Sequence, residues 1–399
     1  MKQEILIPTY YNKFSCIGSA CEDTCCAGWK VNVDKSSFNK YRKITSGPIA
    51  TNLKTNITRE RKTPSDLTYA KIKMDEEGKC TFLNNEGLCK IYIELGENYL
   101  CHTCTIYPRH LKQIDHRMEK SLGTSCPEAA RLILMNPKGI DFIIQEEEID
   151  KKERLEPAVT QDFFWDIRMF TIQLLQNRNA SIEHRLIVLG MFLDKLTGTL
   201  QSEWHVKLPT YVEVYNAILD DPEQLNLLTN LPDNLSFQMD MVYKLIQHRS
   251  AYGLSSQRFV ECIQDMRQGL HLYEESSLDH SVNFYKNAYS NHYKPFFIEH
   301  SYILENYLVN YVFKNTFPRN TSELFEEYVM LIIHFLLIKL HLIGMASHYQ
   351  TMSSEMAIKL IQSFSKQFEH SPVYLNEVQK ELHDKQYTTM AHMIVLIKS

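Results

Sequence analysis

Nine of the ten cysteines lie between Cys16 and Cys126, and only Cys262 falls outside that stretch. They run as Cys16-x4-Cys21-x3-Cys25-Cys26, then Cys80-x8-Cys89, Cys101-x2-Cys104 and Cys126-Pro127. Thiolates set so close together repel one another unless a cation or a covalent bond unites them, which leaves disulfides, zinc or iron–sulfur. Disulfide frameworks belong to short secreted chains. Here Met1 to Pro8 shows neither an apolar signal core nor a small-residue cleavage site, so a reducing, cytoplasmic setting is expected. In that setting the spacing reads as metal binding or catalysis, and nine thiols exceed the needs of one site.

The rest of the chain is organised around this stretch. With 399 residues, 44% apolar and 23% charged, the composition is that of a soluble globular protein of two or three domains. Residues 1–135 carry 20 Lys and Arg against 15 Asp and Glu, and residues 136–399 carry 23 against 33. The front is therefore about +5 and the back about −10, too weak a bias to call for nucleic acid.

Around the first cysteine group the chain is short and extended, at Ile5 to Pro8 and at Lys30 to Asp34, with no helical periodicity. Gly18, Ser19, Thr24 and Gly28 let the backbone turn sharply between and after the thiols, as in a loop wrapped round a centre. Residues 44–66 read as an irregular excursion, and Tyr69 to Met74 alternates like a strand. Asn84, Asn85 and Gly87 make a knuckle that turns Cys80 and Cys89 the same way. Pro108 stops any helix after Cys104, and Pro127 starts one through Glu128 to Leu134.

Past Asn136 the pattern changes. Asp141 to Ile144 reads as a last strand and residues 146–154 as a charged boundary, so the expected division is a cysteine-rich metal domain over 1–140, a linker over 141–158 and an all-helical domain over 159–399. Helical spacing covers Ile182 to Leu200, Met239 to Ile246, Phe297 to Phe313, Asn320 to Ala346, Met352 to Phe368 and Tyr374 to Ile397. No short repeat is present, which predicts an irregular helical domain and not a solenoid. The apolar run Tyr328 to Ala346 is interrupted by His334, Lys339 and His341, costly in a membrane, and is expected to be a buried helix opened by Asn320 and Glu323 as a capping box. Cys262 sits on a helical pattern as a small apolar residue. The fold class is therefore α+β, mostly α: a small metal-binding domain of short strands and loops followed by a large irregular all-α domain.

Several segments resemble the YkgJ-type cysteine-rich family of zinc- or iron-chelating proteins, and within it the flagellin lysine N-methylases. The family's opening cysteine run is similar to Cys16, Cys21, Cys25 and Cys26, one residue longer in each gap. Its later elements resemble Cys80-Thr-Phe-Leu83, Cys89-Lys-Ile-Tyr92 and Cys104-Thr-Ile-Tyr107-Pro108, and the methylase branch resembles Ser125-Cys126-Pro127-Glu128-Ala129-Ala130-Arg131. The likeness is specific over residues 10–135 and looser over 160–399. Two departures stand out. The family's Arg-Pro is Tyr99-Leu100 here, followed by the extra thiol Cys101, and the Arg after Cys104 is Thr105.

The resemblance implies an enzyme: a protein-lysine methyltransferase that moves methyl groups from S-adenosylmethionine to lysine ε-amines of flagellin, its protein partner. It also implies a cysteine-bound iron–sulfur centre, 4Fe-4S in preference to zinc, on Cys16, Cys21, Cys25, Cys26, Cys80, Cys89, Cys104 and Cys126, with Cys101 left open. The competing class is a non-enzymatic zinc-binding interaction module. No Gly-x-Gly-x-x-Gly turn is present to hold the cosubstrate, so it must be held otherwise. Tyr107 and Tyr92, with His102 and His110 as further neighbours of the thiols, are the candidates for chemistry on the amine, and Arg109 is the candidate cation for the cosubstrate.

Overall fold

The computed structural model describes residues 2–115, 117–148, 156–158, 162–251, 253–254, 256–273, 277–368 and 372–399. Strand β1 (Lys2–Pro8) alternates in its side chains, and Ile5 and Ile7 are fully buried. It lies inside a five-stranded sheet of order β7-β1-β6-β5-β8, where β5 is Arg109–Ile114, β6 Arg117–Leu122, β7 Phe142–Glu148 and β8 Glu156–Ala158. β7 pairs antiparallel with all of β1, from Lys2 opposite Glu148 to Pro8 opposite Phe142, while β6 pairs with β1 in parallel. Residues 142–148 and 156–158 are thus strands, where the run of charge suggests a linker; residues 149–155 lie outside the described residues. The charge fits this placement because β7 is an edge strand, and charged side chains suit an edge.

A second unit carries its own apolar core. β2 (Asn32–Val33), β4 (Ala70–Ile72) and β3 (Ile57–Arg59) form a three-stranded antiparallel sheet, covered by α1 (Lys35–Arg42), α2 (Pro48–Asn56), α3 (Lys90–Leu95) and α4 (His102–Ile106). Its core holds Val31, Val33, Tyr41, Leu53, Ile72 and Phe82 together with Cys80 and Cys101. The excursion over 44–66 therefore contains a helix and a strand. Pro48 opens α2 at its first turn, where a missing N–H costs nothing. Asp34 caps α1 by accepting the N–H of Ser37 at 2.9 Å.

The helical half begins earlier than the change in composition. Helix α5 (Pro127–Leu134) buries Ala129, Ala130, Ile133 and Leu134 in the same core as the later helices. Those helices are α6 (Phe164–Gln176), α7 (Ile182–Thr197), α8 (Trp204–Ile218), α9 (Pro222–Thr229), α10 (Leu235–Ala251), α11 (Gln257–Gly269), α12 (Leu278–Ala288), α13 (Lys294–His300), α14 (Tyr302–Lys314), α15 (Leu324–Tyr349), α16 (Ser354–Phe368), α17 (Pro372–Asp384) and α18 (Met390–Ile397). Tyr374 to Ile397, one run by spacing, is two helices parted by a turn in which Gln386 has positive φ.

Helix α15 is the axis of this half. It is long and apolar enough to cross a membrane by length and composition, yet the whole of its apolar window is buried inside the protein. The three ionisable residues that interrupt its apolar run find partners within the fold. His334 Nδ1 lies 3.0 Å from the Tyr307 hydroxyl, His341 Nδ1 lies 2.6 Å from the Leu337 carbonyl, and the Lys339 ammonium donates to Ile397 O at 2.6 Å. Gly344 and Gly269 let α11 and α15 cross with backbones in contact, since a Cβ at Gly269 would overlap the Gly344 carbonyl. The cap differs from the expected box. Asn320 accepts from Ser322 at 3.0 Å, but the reaching carboxylate belongs to Glu327, which takes the N–H groups of Asn320 at 2.8 Å and Arg319 at 3.0 Å.

Sheet and helices are joined by buried polar contacts. Arg168 of α6 donates to both carboxylate oxygens of Glu119 on β6 at 2.8 Å and to Phe313 O at 2.9 Å. Lys112 of β5 donates to Lys314 O at 2.8 Å, and the Phe142 and Phe313 rings stand 4.7 Å apart.

Candidate functional site

The cysteines lie where the small core meets the helical core: Cys80 and Cys101 belong to the first, Cys126 to the second. Backbone pairing brings the segments together. Cys80 N–H donates to Cys26 O at 2.7 Å, bridges join Met74 to Cys80 and Leu83 to Cys89, and Leu83 N–H donates to Cys80 O at 2.8 Å in the knuckle foreseen from Asn84 and Gly87. Cys89, Cys101 and Cys126 each stand just before a helix, α3, α4 and α5 in turn.

Two groups of thiols result. Cys80 lies within electrostatic reach of Cys89, both lie within reach of Cys101 and also of Cys25, and Cys104 lies within reach of Cys101, Cys26 and Cys89, so Cys25 and Cys26 adjoin both groups. Cys126 lies within reach of Cys21 and Cys25, and Cys25 adjoins Cys26. Burial pushes Cys80 up to about 11 and Cys126 up to about 12, and raises Cys21 and Cys89 as well. Cys25, exposed as a residue, is pushed up first by the neighbouring Cys26 thiol, while the Lys366 ammonium opposes that push. Cys101 and Cys104 have sulfurs 3.5 Å apart; the proton held between them lowers Cys101 and raises Cys104.

Backbone N–H groups point at several sulfurs: Phe82 at Cys80, Ile91 and Tyr92 at Cys89, Glu128 and Ala129 at Cys126. Such N–H···S contacts favour the thiolate form and surround sulfurs that bind soft metals. The donor set thus fits a thiolate-bound centre in its chemistry. Among the described residues no three His, Cys, Asp or Glu side chains already converge at ligand spacing.

Each candidate from the sequence has a definite place. Cys101, left open by spacing, is only 1% exposed and sits among Cys80, Cys89 and Cys104. Cys16 is exposed. Tyr107 is at the thiols: its hydroxyl donates to Ser125 Oγ at 3.1 Å, its ring meets Trp29 at 5.5 Å, and burial of the hydroxyl with Cys126 and Cys25 nearby raises its pKa well above the ordinary value. It is a hydrogen-bond donor there, not a base. Tyr92 is 53% exposed on α3, with only its backbone N–H turned to Cys89, so its side chain is at the rim. The Arg109 guanidinium stacks on Phe14 at 4.9 Å, and the N–H of His102 donates to Asp34 at 2.9 Å. His110 Nε2 lies against Gly123.

The second thiol group has neighbours that the sequence does not suggest. From α16, Lys366 Nζ donates to Asp23 Oδ1 at 2.8 Å and Thr24 O at 2.9 Å, and Gln362 Nε2 donates to Asp23 Oδ2 at 2.8 Å and Ser125 O at 2.9 Å. From α5, Arg131 grips Glu22 at 2.7 and 2.9 Å. Elsewhere, a cleft of about 510 Å³ opens between α10 and α11, lined by Tyr243, Gln247, Met266 and Arg267 among others. None of its lining residues is a cysteine.

Two halves meeting at a thiol-rich junction define a mostly helical protein with a cysteine module. Residues 168–396 match the FliB lysine N-methylase C-terminal domain, more than half of the chain, so the chain belongs to the FliB lysine N-methylase family. A lysine-N-methylase of Salmonella typhimurium is 24% identical over 388 residues, 94% of this chain and 93% of its own length, and that of Salmonella choleraesuis is 24% identical over the same span. The flagellar biosynthetic protein FliU of Salmonella muenchen is 36% identical over 131 residues, 33% of this chain and 76% of its own length. No solved structure matches.

Proposed function

We propose that this chain methylates lysine ε-amines of flagellin in the cytoplasm, taking the methyl group from S-adenosylmethionine at the thiol junction. The observation that carries the reading is that Cys21, Cys25 and the Tyr107 hydroxyl lie within electrostatic reach of Cys126 where the two cores meet. Relatives named lysine-N-methylase align across both halves that build that junction. The thiolates are read as holding a 4Fe-4S centre, with zinc as the alternative metal; when bound it supplies a cationic anchor for the polar end of the cosubstrate. The holding residues are Cys21, Cys25 and Cys126, with Cys26, Cys80, Cys89, Cys101 and Cys104 behind them.

The acceptor lysine attacks only as a neutral amine, so the site must take its proton before transfer. In a polar transfer the nitrogen lone pair forms the N–C bond, the C–S pair leaves with sulfur, and the product ammonium gives its second proton to water. Tyr107 orients through its donated hydrogen bond, and the α5 and α16 contacts keep the junction ordered. The test is anaerobic reconstitution with iron and sulfide, metal counts including zinc, and mass spectrometry of flagellin incubated with methyl-labelled S-adenosylmethionine. Labelled methyl-lysine that requires the bound centre and falls in Tyr107→Phe but not in Tyr92→Phe is expected. No label on flagellin from the metal-replete protein overturns the reading.

A further inference from the structure

Gln362 and Lys366 stand one helical turn apart on α16, far in sequence from the residues they touch beside the cysteines, Asp23, Thr24 and Ser125, and both are buried in spite of their polarity: Gln362 is 0% and Lys366 7% exposed. One carboxamide nitrogen, Gln362 Nε2, holds Asp23 between Cys21 and Cys25 and also Ser125 O next to Cys126, so a single group ties two cysteine segments together. Lys366 completes the grip through Asp23 and the Thr24 carbonyl, which flanks the Cys25-Cys26 pair. Thr124 Oγ1 and Ser365 Oγ, 2.7 Å apart, add a third tie between the same helix and the segment before Cys126. The members of the other thiol group, Cys80, Cys89, Cys101 and Cys104, take their places from the small core, and among the described residues the clasp's hydrogen bonds go to Asp23, Thr24 and Ser125 and not to them.

We infer that Gln362 and Lys366 are positioning residues, a clasp by which the helical half sets the register of Cys21, Cys25 and Cys126 while the remaining thiols are set by the cysteine module itself. A buried ammonium beside a carboxylate and a carbonyl is an arrangement that loses heavily when one partner is removed, since the remaining charge stays buried and unpaired. The bearing of the clasp on methyl transfer rests on the function proposed above. Its effect on the thiols does not, so the two can fail separately.

The experiment is iodoacetamide labelling of the full-length protein as isolated, under native conditions, with each cysteine followed by peptide mass spectrometry. It is paired with titration by cadmium, read at the thiolate-to-cadmium charge-transfer band. In Lys366→Met, and again in Gln362→Ala, the labelling of Cys21, Cys25 and Cys126 is expected to rise roughly a hundredfold, as for a locally opened segment. Labelling of Cys80, Cys89, Cys101 and Cys104 stays at the wild-type rate, and Lys366→Arg restores both protection and the cadmium band. A parallel rise at all the thiols means general loosening and overturns the inference. So does an unchanged rate at Cys21, Cys25 and Cys126, or a failure of Lys366→Arg to restore them.

Discussion

Lys339, in the middle of α15, has no exposed surface, and its ammonium donates to Ile397 O, to Lys398 O at 3.1 Å and to Ser399 Oγ at 2.9 Å, with Glu183 at 3.6 Å. Burial pulls its pKa down from 10.5 to about 8 in spite of Glu183. A lysine depressed in the folded state makes the unfolded chain the better proton binder between those two values, so stability rises with pH across that window. Below about 8 the cost is fully present. The separation of about 2.5 between the two values corresponds to about 3 kcal/mol, of which about 2 kcal/mol is relieved between about pH 7 and about pH 9.5. Thiols and other groups titrate over the same range, so the quantity to follow is the unfolding free energy of the wild type minus that of Lys339→Met, taken by urea at both pH values. The variant cannot titrate at this position and shares the other groups. The difference should move by about 2 kcal/mol in favour of the wild type as pH rises. A difference constant to within about 0.5 kcal/mol would refute the reasoning, since it would mean that the ammonium carries no desolvation cost.

Other consequences can be checked the same way. Glu305, 1% exposed, receives Arg185 at 2.8 Å and Arg178 at 2.7 Å, so Glu305→Ala leaves a buried guanidinium unpaired and should cost about 3–5 kcal/mol in urea unfolding; a loss below about 1 kcal/mol would count against the buried pair. Cys101→Ser should lower bound iron or zinc together with soluble yield, because ligation and folding of such a module are one equilibrium. Cys262→Ser, changed on α11 where the buried sulfur lies 3.9 Å from Ser363 Oγ, should leave metal content as it was.

How much of this was legible depended on the range over which each signal acts. The knuckle at Cys80 to Cys89, the start of α5 at Pro127 and the burial of α15 follow from neighbours in sequence, and each is found. The five-stranded sheet was hidden because β1 pairs with β6 and β7, more than a hundred residues away, and pairing at that range leaves no periodic trace. The acidic run of β7 reads as solvated linker for the same reason that it works as an edge. Lys366 and Gln362 read as the polar face of an amphipathic helix, and only the fold turns that face toward Asp23. Tyr92 and Tyr107 are equivalent by sequence position, each three residues past a cysteine. A short helix turns one outward, and Ser125 draws the other in.

The tie between Asp23 and α16 has a consequence during synthesis. A ribosome adds about 5–20 residues each second, so the helix that steadies the first cysteine loop emerges on the order of 20 to 70 s after the loop itself. For that interval Cys21, Cys25 and Cys26 are nascent-chain thiols without their partner helix, open to oxidants and to stray soft metals. For the centre proposed above, loading would therefore be ordered in time: the thiols of the small module could be filled while translation continues, and those beside α16 only near its end.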